Sequence, residues 1–208
     1  EIPIMPPIDE IKDDCIDCLK KIEKEIYEKF GNKLILECVC KYGFPVDEIN
    51  QYAKESNVDM IVMGMEGTSY LSEKIIGNIT TSLLKKACCP VLAVDWQVRF
   101  KSIKNIVLAS DYKDTESKAV LTPLIDVAKL FDSKIFILNV VQELETITTV
   151  GKAVEGIKIN NALDSVKHSF HYSKSDDVIE SINDFVEEHE IDLVVMIPRA
   201  HSPLHNLF

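Results

Sequence analysis

Three glycines carry the most suggestive spacing in the chain. Gly64, Gly67 and Gly77 fall as G-x2-G-x9-G in MGMEGTSYLSEKIIGNITTS, directly after the apolar run DMIVMG. Two glycines at a strand end let backbone approach a ligand closely and adopt positive φ. The third opens the predicted helix 78–87, with Asn78 at its N-cap. The free N–H groups of such a helix start favour an anion such as phosphate. The spacing is neither a Walker A loop nor G-x-G-x-x-G. Taken alone, it equally suits an ordinary turn.

Other chemistry-bearing residues compete with structural readings. The six cysteines form the pairs Cys15/Cys18, Cys38/Cys40 and Cys88/Cys89. The C-x-x-C pair would suit zinc or redox chemistry, but it lies in the amphipathic stretch IKDDCIDCLKKIEKEIYEKF. Cys38 and Cys40 are expected on one face of a strand. The cysteines are therefore expected as small core residues, with no structural metal. His201 and His205 could share a metal face if helical, but Pro203 between them argues for a loop. His168 and His171 should sit on opposite faces of a strand. Asp13, Asp14 and Asp17, like Glu187, Glu188 and Glu190, suit solvated helix faces better than acid/base pairs. H-E-x-x-H, G-x-S-x-G and the Walker lysine are all missing from the sequence, so no catalytic residue is assigned.

Period and punctuation predict the elements that would position these residues. Helices are expected over 9–30, 46–56, 78–87, 114–131, 152–165 and 176–189. Strands are expected over 33–40, 59–64, 90–95, 104–110, 134–141, 167–173 and 192–197. Strands alternate with helices and read as continuous apolar runs. That pattern belongs to an α/β fold with doubly wound parallel sheets, Rossmann-like, covered on both faces. Ligands of such sheets bind at the carboxyl ends of the strands.

The chain also repeats itself. VDEINQYAKESNVDMIVMGMEG, from Val46, aligns without a gap with IESINDFVEEHEIDLVVMIPRA, from Ile179, at an offset of 133. Ile49 meets Ile182, Tyr52 meets Phe185, and Asp59 meets Asp192. Two tandem repeats are expected, over 1–97 and 103–208, with Trp96 packed under their contact. At this offset the strand near Lys104 has no counterpart in the first repeat. Residues 68–95 likewise have none in the second. The expectation is a chain that is part of a longer protein, or a parent that has lost segments. An alternative is a permuted single domain in which 104–141 supplies the first repeat's opening.

Composition sets limits. The chain has 208 residues, 46% hydrophobic and 27% charged, enough for a buried core. Its net charge is −11, with the acidic excess in both halves and no basic block. Nucleic acid and anionic membrane are poor partners for such a surface. No apolar run approaches the roughly 20 residues of a spanning helix. EIPIMPPIDE does not read as a signal peptide. Unpaired thiols in an acidic chain suggest the cytoplasm.

The order of strand end, G-x2-G-x9-G, helix and CPVLAVD resembles the universal stress protein family, as a tandem pair. KNIVLASDYKDTESKAV resembles the family's opening strand and first helix, and SKIFILNVV its second strand. The resemblance implies an ATP pocket, with Mg2+ accompanying the nucleotide. The family pattern continues G-x2-G-x9-G-(S/T), whereas Asn78 stands here. Thr80, Thr81 and Ser82 are the hydroxyls at hand to replace it. Carried over, the nucleotide-binding residues are Met63, Gly64, Gly67, Gly77, Asn78 and Ile79. Asp111 and Val140 stand where the family meets adenine or ribose, although Asp111 equally suits a helix cap. In the second repeat Ile197 and Ala200 replace the first two glycines. The implied function is a nucleotide-responsive stress module acting through conformational change on a protein partner, and homodimeric. The alternative is a nucleotide-free scaffold of the same fold. Nucleotidyl transfer would need a basic or histidine motif at the phosphate end, such as H-x-G-H, which the sequence lacks.

Overall fold

The computed structural model describes residues 8–65, 78–111, 118–141 and 149–197. The chain divides into two compact units, Glu1–Tyr52 and Ala53–Phe208.

The first unit holds α1 (Ile8–Phe30), which ends at a short 3-10 turn over Gly31–Lys33. Gly31 has φ +65, the left-handed exit that glycine adopts without a Cβ penalty. The strand predicted over 33–40 does not form; residues 34–42 lie in no ladder. A strand is stable only when its N–H and C=O groups find a neighbouring strand, and among the described residues none pairs here. Ile35 is fully exposed in consequence. The next helix, α2 (Pro45–Glu55), starts close to prediction. Tyr52 on α2 donates its hydroxyl to Glu37 Oε2 at 3.1 Å, and Lys41 Nζ sits 5.2 Å from the Tyr52 ring centroid.

The second unit carries two parallel sheets. One is two-stranded, β1 (Ile61–Met65) against β2 (Val91–Asp95), with α3 (Asn78–Lys86) between them in sequence. Leu83 and Thr80 of α3 are buried. The other sheet contains β3 (Asn105–Ala109), β4 (Lys134–Val141), β5 (Lys167–Lys174) and β6 (Leu193–Met196), in the order β5-β4-β3-β6. Its crossover helices are α4 (Lys118–Phe131), α5 (Thr149–Ala162) and α6 (Val178–Glu188).

Alternation across this second sheet fills both faces. Ile106, Leu108, Ile135 and Ile137 pack with Leu121, Leu124 and Ile125 of α4 and Ile159 of α5. Val107, Ala109, Phe136 and Leu138 pack on the other side with Ile182 and Phe185 of α6. This two-sided burial is why the strands read as unbroken apolar runs.

Three expectations change. The edges of β3 are taken by β4 and β6, so 104–141 does not complete the β1-β2 sheet. Trp96 is 67% exposed and not packed under a contact. The turn after β2 accounts for this: Asp95 Oδ1 accepts from Gln97 N at 2.7 Å, and the Asp95 carbonyl accepts from Val98 N at 3.0 Å. The cysteines are not core residues: Cys15, Cys40 and Cys89 are half-buried, and Cys18, Cys38 and Cys88 are exposed. Without strand 33–40, Cys38 and Cys40 have no sheet face to enter.

The repeat is visible in backbone detail. α2 and α6 share bounds at the 133-residue offset. Asn57 and Glu190, at the same offset, have φ 49 and 48. Val58 N donates to the Ala53 carbonyl at 2.9 Å, and Ile191 N to the Val186 carbonyl at 3.0 Å.

Candidate functional site at the strand carboxyl ends

The predicted site residues fall into two groups. Met63 and Gly64 lie within β1, opposite Ala93 and Val94 of β2. Gly64, at the end of the predicted strand, was expected to favour a positive φ; it sits instead in regular ladder backbone, because β1 continues one residue further, to Met65. Among the described residues, a Cβ on Gly64 would meet no atom within 4 Å, and Gly64 has no positive φ.

Asn78 and Ile79 are the first two residues of α3, and both are exposed. Asn78 is thus inside the helix start instead of preceding it as a cap. Gly67 and Gly77 lie outside the described residues, as do Ala200, His201 and His205. Thr80 is 4% exposed, so its hydroxyl cannot stand in for the missing one at Asn78.

Asp111 and Val140 form the second group, at the carboxyl ends of the adjacent strands β3 and β4. Asp111 is half-buried just past β3. Val140 pairs with Ser173 of β5 and packs against the α6-side core. Ser110 N donates to the Leu138 carbonyl at 2.9 Å, joining the two strand ends.

The same corner holds a residue that the sequence reading passed over. Asn139 is 1% exposed in the middle of KIFILNVV. Its Nδ2 donates to the Ser110 carbonyl at 2.7 Å, while Oδ1 is buried without a partner among the described residues. A buried amide oxygen left unpaired costs roughly 1–3 kcal/mol. The signal was available as one polar residue breaking an apolar run.

The histidines behave as predicted on β5, on opposite faces. His168 Nδ1 donates to the Val166 carbonyl, and Nε2 lies 3.0 Å from Asn160 Oδ1 on α5. His171 meets Phe136 at a tilt and Phe185 and His189 edge-on, on the α6 side. Burial pushes the His171 imidazole below its ordinary value, helped by His189 and Lys134. Among the described residues no three His, Cys, Asp or Glu side chains gather as a metal site. Among them, too, no helix is long and apolar enough to cross a membrane.

Glycine-bearing strand end, following helix, parallel sheets and a repeated backbone unit define a class before any relative is considered: a Rossmann-like α/β protein with an internal repeat. Residues 8–95 match the universal stress protein family. The chain is similar to universal stress protein MJ0531 of Methanocaldococcus jannaschii, 34% identical over 84 residues, covering 40% of this chain and 48% of that protein. It is also similar to universal stress protein YxiE of Bacillus subtilis, 35% identical over 88 residues, covering 42% and 60%. It spans about half the length of these curated relatives. A crystal structure of a universal stress protein from Archaeoglobus fulgidus shares the fold over 100% of this chain and 74% of its own, with TM-score 0.68 and 19% identity. Over residues 8–95 the chain is similar to the universal stress protein family.

Proposed function

We propose that this chain is a nucleotide-responsive regulatory module of the stress response, with repeats over 1–97 and 103–208. An adenine nucleotide, ATP with Mg2+, would lie over the carboxyl end of β1. Met63 and Gly64 would approach it by backbone, Gly67 would flank it, and Gly77, Asn78 and Ile79 would meet its phosphates at the start of α3. Asp111 and Val140 are the corresponding adenine or ribose positions of the second repeat. The observation that carries this reading is that no described atom lies within 4 Å of a Cβ built on Gly64, while the first residues of α3 are exposed.

Binding would act by population shift. A ligand that favours one arrangement of the loop after β1 changes the surface offered to a protein partner. Homodimer formation and a cytoplasmic setting belong to the same proposal. No base or metal-binding carboxylate is assigned, so any hydrolysis of ATP is expected to be slow.

The second reading is a nucleotide-free scaffold. One observation favours it: Ile197, the counterpart of Gly64, packs against the α4/α5 core, so the second repeat fills that position with a hydrophobe. Thermal unfolding with and without millimolar MgATP separates the two. Ligand that binds only the native state raises the midpoint, increasingly with concentration. Gly64→Val with Gly77→Val should abolish the rise. Valine suits a strand, and among the described residues its Cβ at position 64 meets nothing, so Gly64→Val alone serves as a folded control. An unchanged midpoint in MgATP would leave the scaffold. Rapid phosphate release would overturn both.

A further inference from the structure

Among the described residues, the buried polar side chains are Thr80, Ser110, Ser133, Asn139 and Ser181. Ser133 Oγ donates to the Ile103 carbonyl at 2.6 Å, and Ser181 Oγ to Ser173 Oγ at 2.7 Å. Ser110 and Asn139 instead gather at the carboxyl ends of the adjacent strands β3 and β4, 7% and 1% exposed. That is the end of an open parallel sheet where ligands bind. Asp111, half-buried, follows Ser110 directly.

Side chains alternate along β4, so Asn139 shares the α4/α5 face with Ile135 and Ile137. An apolar residue would continue that face. The asparagine leaves Oδ1 buried without a partner among the described residues, which costs stability. That cost is not needed to join the strands, because Ser110 N already donates to the Leu138 carbonyl at 2.9 Å. What the amide adds is a hold on the next peptide: Nδ2 donates to the Ser110 carbonyl at 2.7 Å. A peptide is planar. Fixing that carbonyl therefore fixes the Asp111 N–H and the direction in which the Asp111 Cα leaves the strand end. Two other features carry less. His171 and His189 meet with ring centroids 5.3 Å apart, but among the described residues no third ligating group joins them. Ile35 and Tyr42 are exposed, and nothing in the structure shows what would cover them.

We propose that Asn139 is a positioning residue for the ligand. Its amide locks the Ser110–Asp111 peptide and so aims the Asp111 carboxylate at the hydroxyls or amino group of the adenosine end of a nucleotide. This rests on the nucleotide reading above, with Asp111 as an adenine or ribose contact. Asn139 itself touches no ligand in this arrangement; it acts through Asp111. A carboxylate already aimed need not be ordered when the ligand arrives, which is how preorganisation gains affinity. With the amide gone, Asp111 keeps its charge and loses its aim.

The test is isothermal titration of MgATP into the intact chain, with ligand-free thermal unfolding alongside. Asn139→Leu branches as asparagine does and removes the donor. It should weaken binding about tenfold, the size expected of one hydrogen bond to a charged group, without lowering the ligand-free midpoint. Asp111→Ala should weaken binding by as much or more. The double variant should bind no worse than Asp111→Ala, because the two residues act as one unit. Asn139→His, which can donate from Nδ1, should recover most of the affinity. In the wild-type chain the Asn139 side-chain amide resonances should shift at saturating MgATP, and Asp111→Ala should abolish the shift. That measurement decides the matter even if the leucine variant folds poorly. Unchanged affinity in Asn139→Leu overturns the proposal and leaves the nucleotide reading standing, as do effects of the two substitutions that multiply. A lowered ligand-free midpoint with unchanged affinity would make Asn139 a structural clamp only. Absence of MgATP binding by the wild-type chain would overturn the nucleotide reading and this proposal together.

Discussion

The two parallel sheets share one repeated strand, β1 in one and β6 in the other, and lie in different surroundings. β3 and β4 are buried along nearly their whole length, with both faces filled by helices and both edges of each strand paired. β1 and β2 have no fully buried residue, and Val62 is 63% exposed. Positions related by the 133-residue offset make the contrast sharp. Val195, the counterpart of Val62, packs against the α4/α5 core. Ile182 is fully buried, whereas Ile49 is half-buried. Phe185 joins an aromatic cluster, whereas Tyr52 turns its hydroxyl to Glu37. The helix–strand pattern therefore writes the same local unit twice, down to the left-handed exit residue. What it does not write is how much of that unit leaves water. Burial depends on the neighbours on each side.

The largest expected effect tests this directly. Ile182→Ala empties a packed site and should cost about 2–5 kcal/mol. Ile49→Ala, at the equivalent position, should cost clearly less, because a half-exposed side chain forfeits less burial. Urea unfolding of both variants gives the comparison. Equal losses would mean that Ile49 is covered as deeply as Ile182, and the contrast between the sheets would collapse.

A smaller effect concerns how each strand is entered. Asp192 Oδ2 accepts from Lys104 N at 2.7 Å and from Asn105 N at 2.9 Å, clamping the start of β3 beside β6. Asp59 holds the equivalent place before β1, and β1 pairs with β2 alone among the described strands. Asp192→Ala should cost about 1 kcal/mol, since the carboxylate is exposed but charge-assisted. Asp59→Ala should change the midpoint less. If Asp59→Ala proves the costlier, Asp59 has a clamp of its own and the two strand entries are alike.

Much of the fold was legible for a physical reason. β4 runs over the predicted 134–141 because a buried parallel strand is an unbroken apolar run with polar residues at its limits. α6 was readable from its period, and its cap is Asp177, whose Oδ1 accepts from Glu180 N at 3.0 Å. The segment 33–40 misled because β-branched and apolar residues state a preference, while a strand requires a partner that local sequence does not supply. The candidate site was less legible. Gly64 was found, but the reason for it was not, since its place inside the β1 ladder, with no described atom near its missing Cβ, is a tertiary fact. Asn139 was hidden because its role depends on the Ser110 carbonyl of the neighbouring strand.

The smallest effect separates the two halves by pH. All five histidines lie between His168 and His205, so histidine titration can act only on the half that carries the four-stranded sheet. His171 is held below its ordinary value, chiefly by burial, with His189 and Lys134 adding repulsion and Glu188 opposing them. Ser169 Oγ lies 2.9 Å from its Nε2, and Phe136 and Phe185 complete its surroundings. A lowered folded value means that the unfolded chain takes up the proton first. Stability should therefore be full above pH about 6.5, the ordinary histidine value. It should fall as the pH drops through that point and level off once folded His171 is also protonated. The loss should be modest, because the ring is only half-buried and solvent screens its charge. His171→Gln should flatten the unfolding midpoint between pH 7.5 and 5.5 while Ile49→Ala keeps the wild-type slope. Parallel slopes in wild type and His171→Gln would move the titration to another histidine. A changed slope in Ile49→Ala would show that the first repeat's helix shares in the burial that sets it.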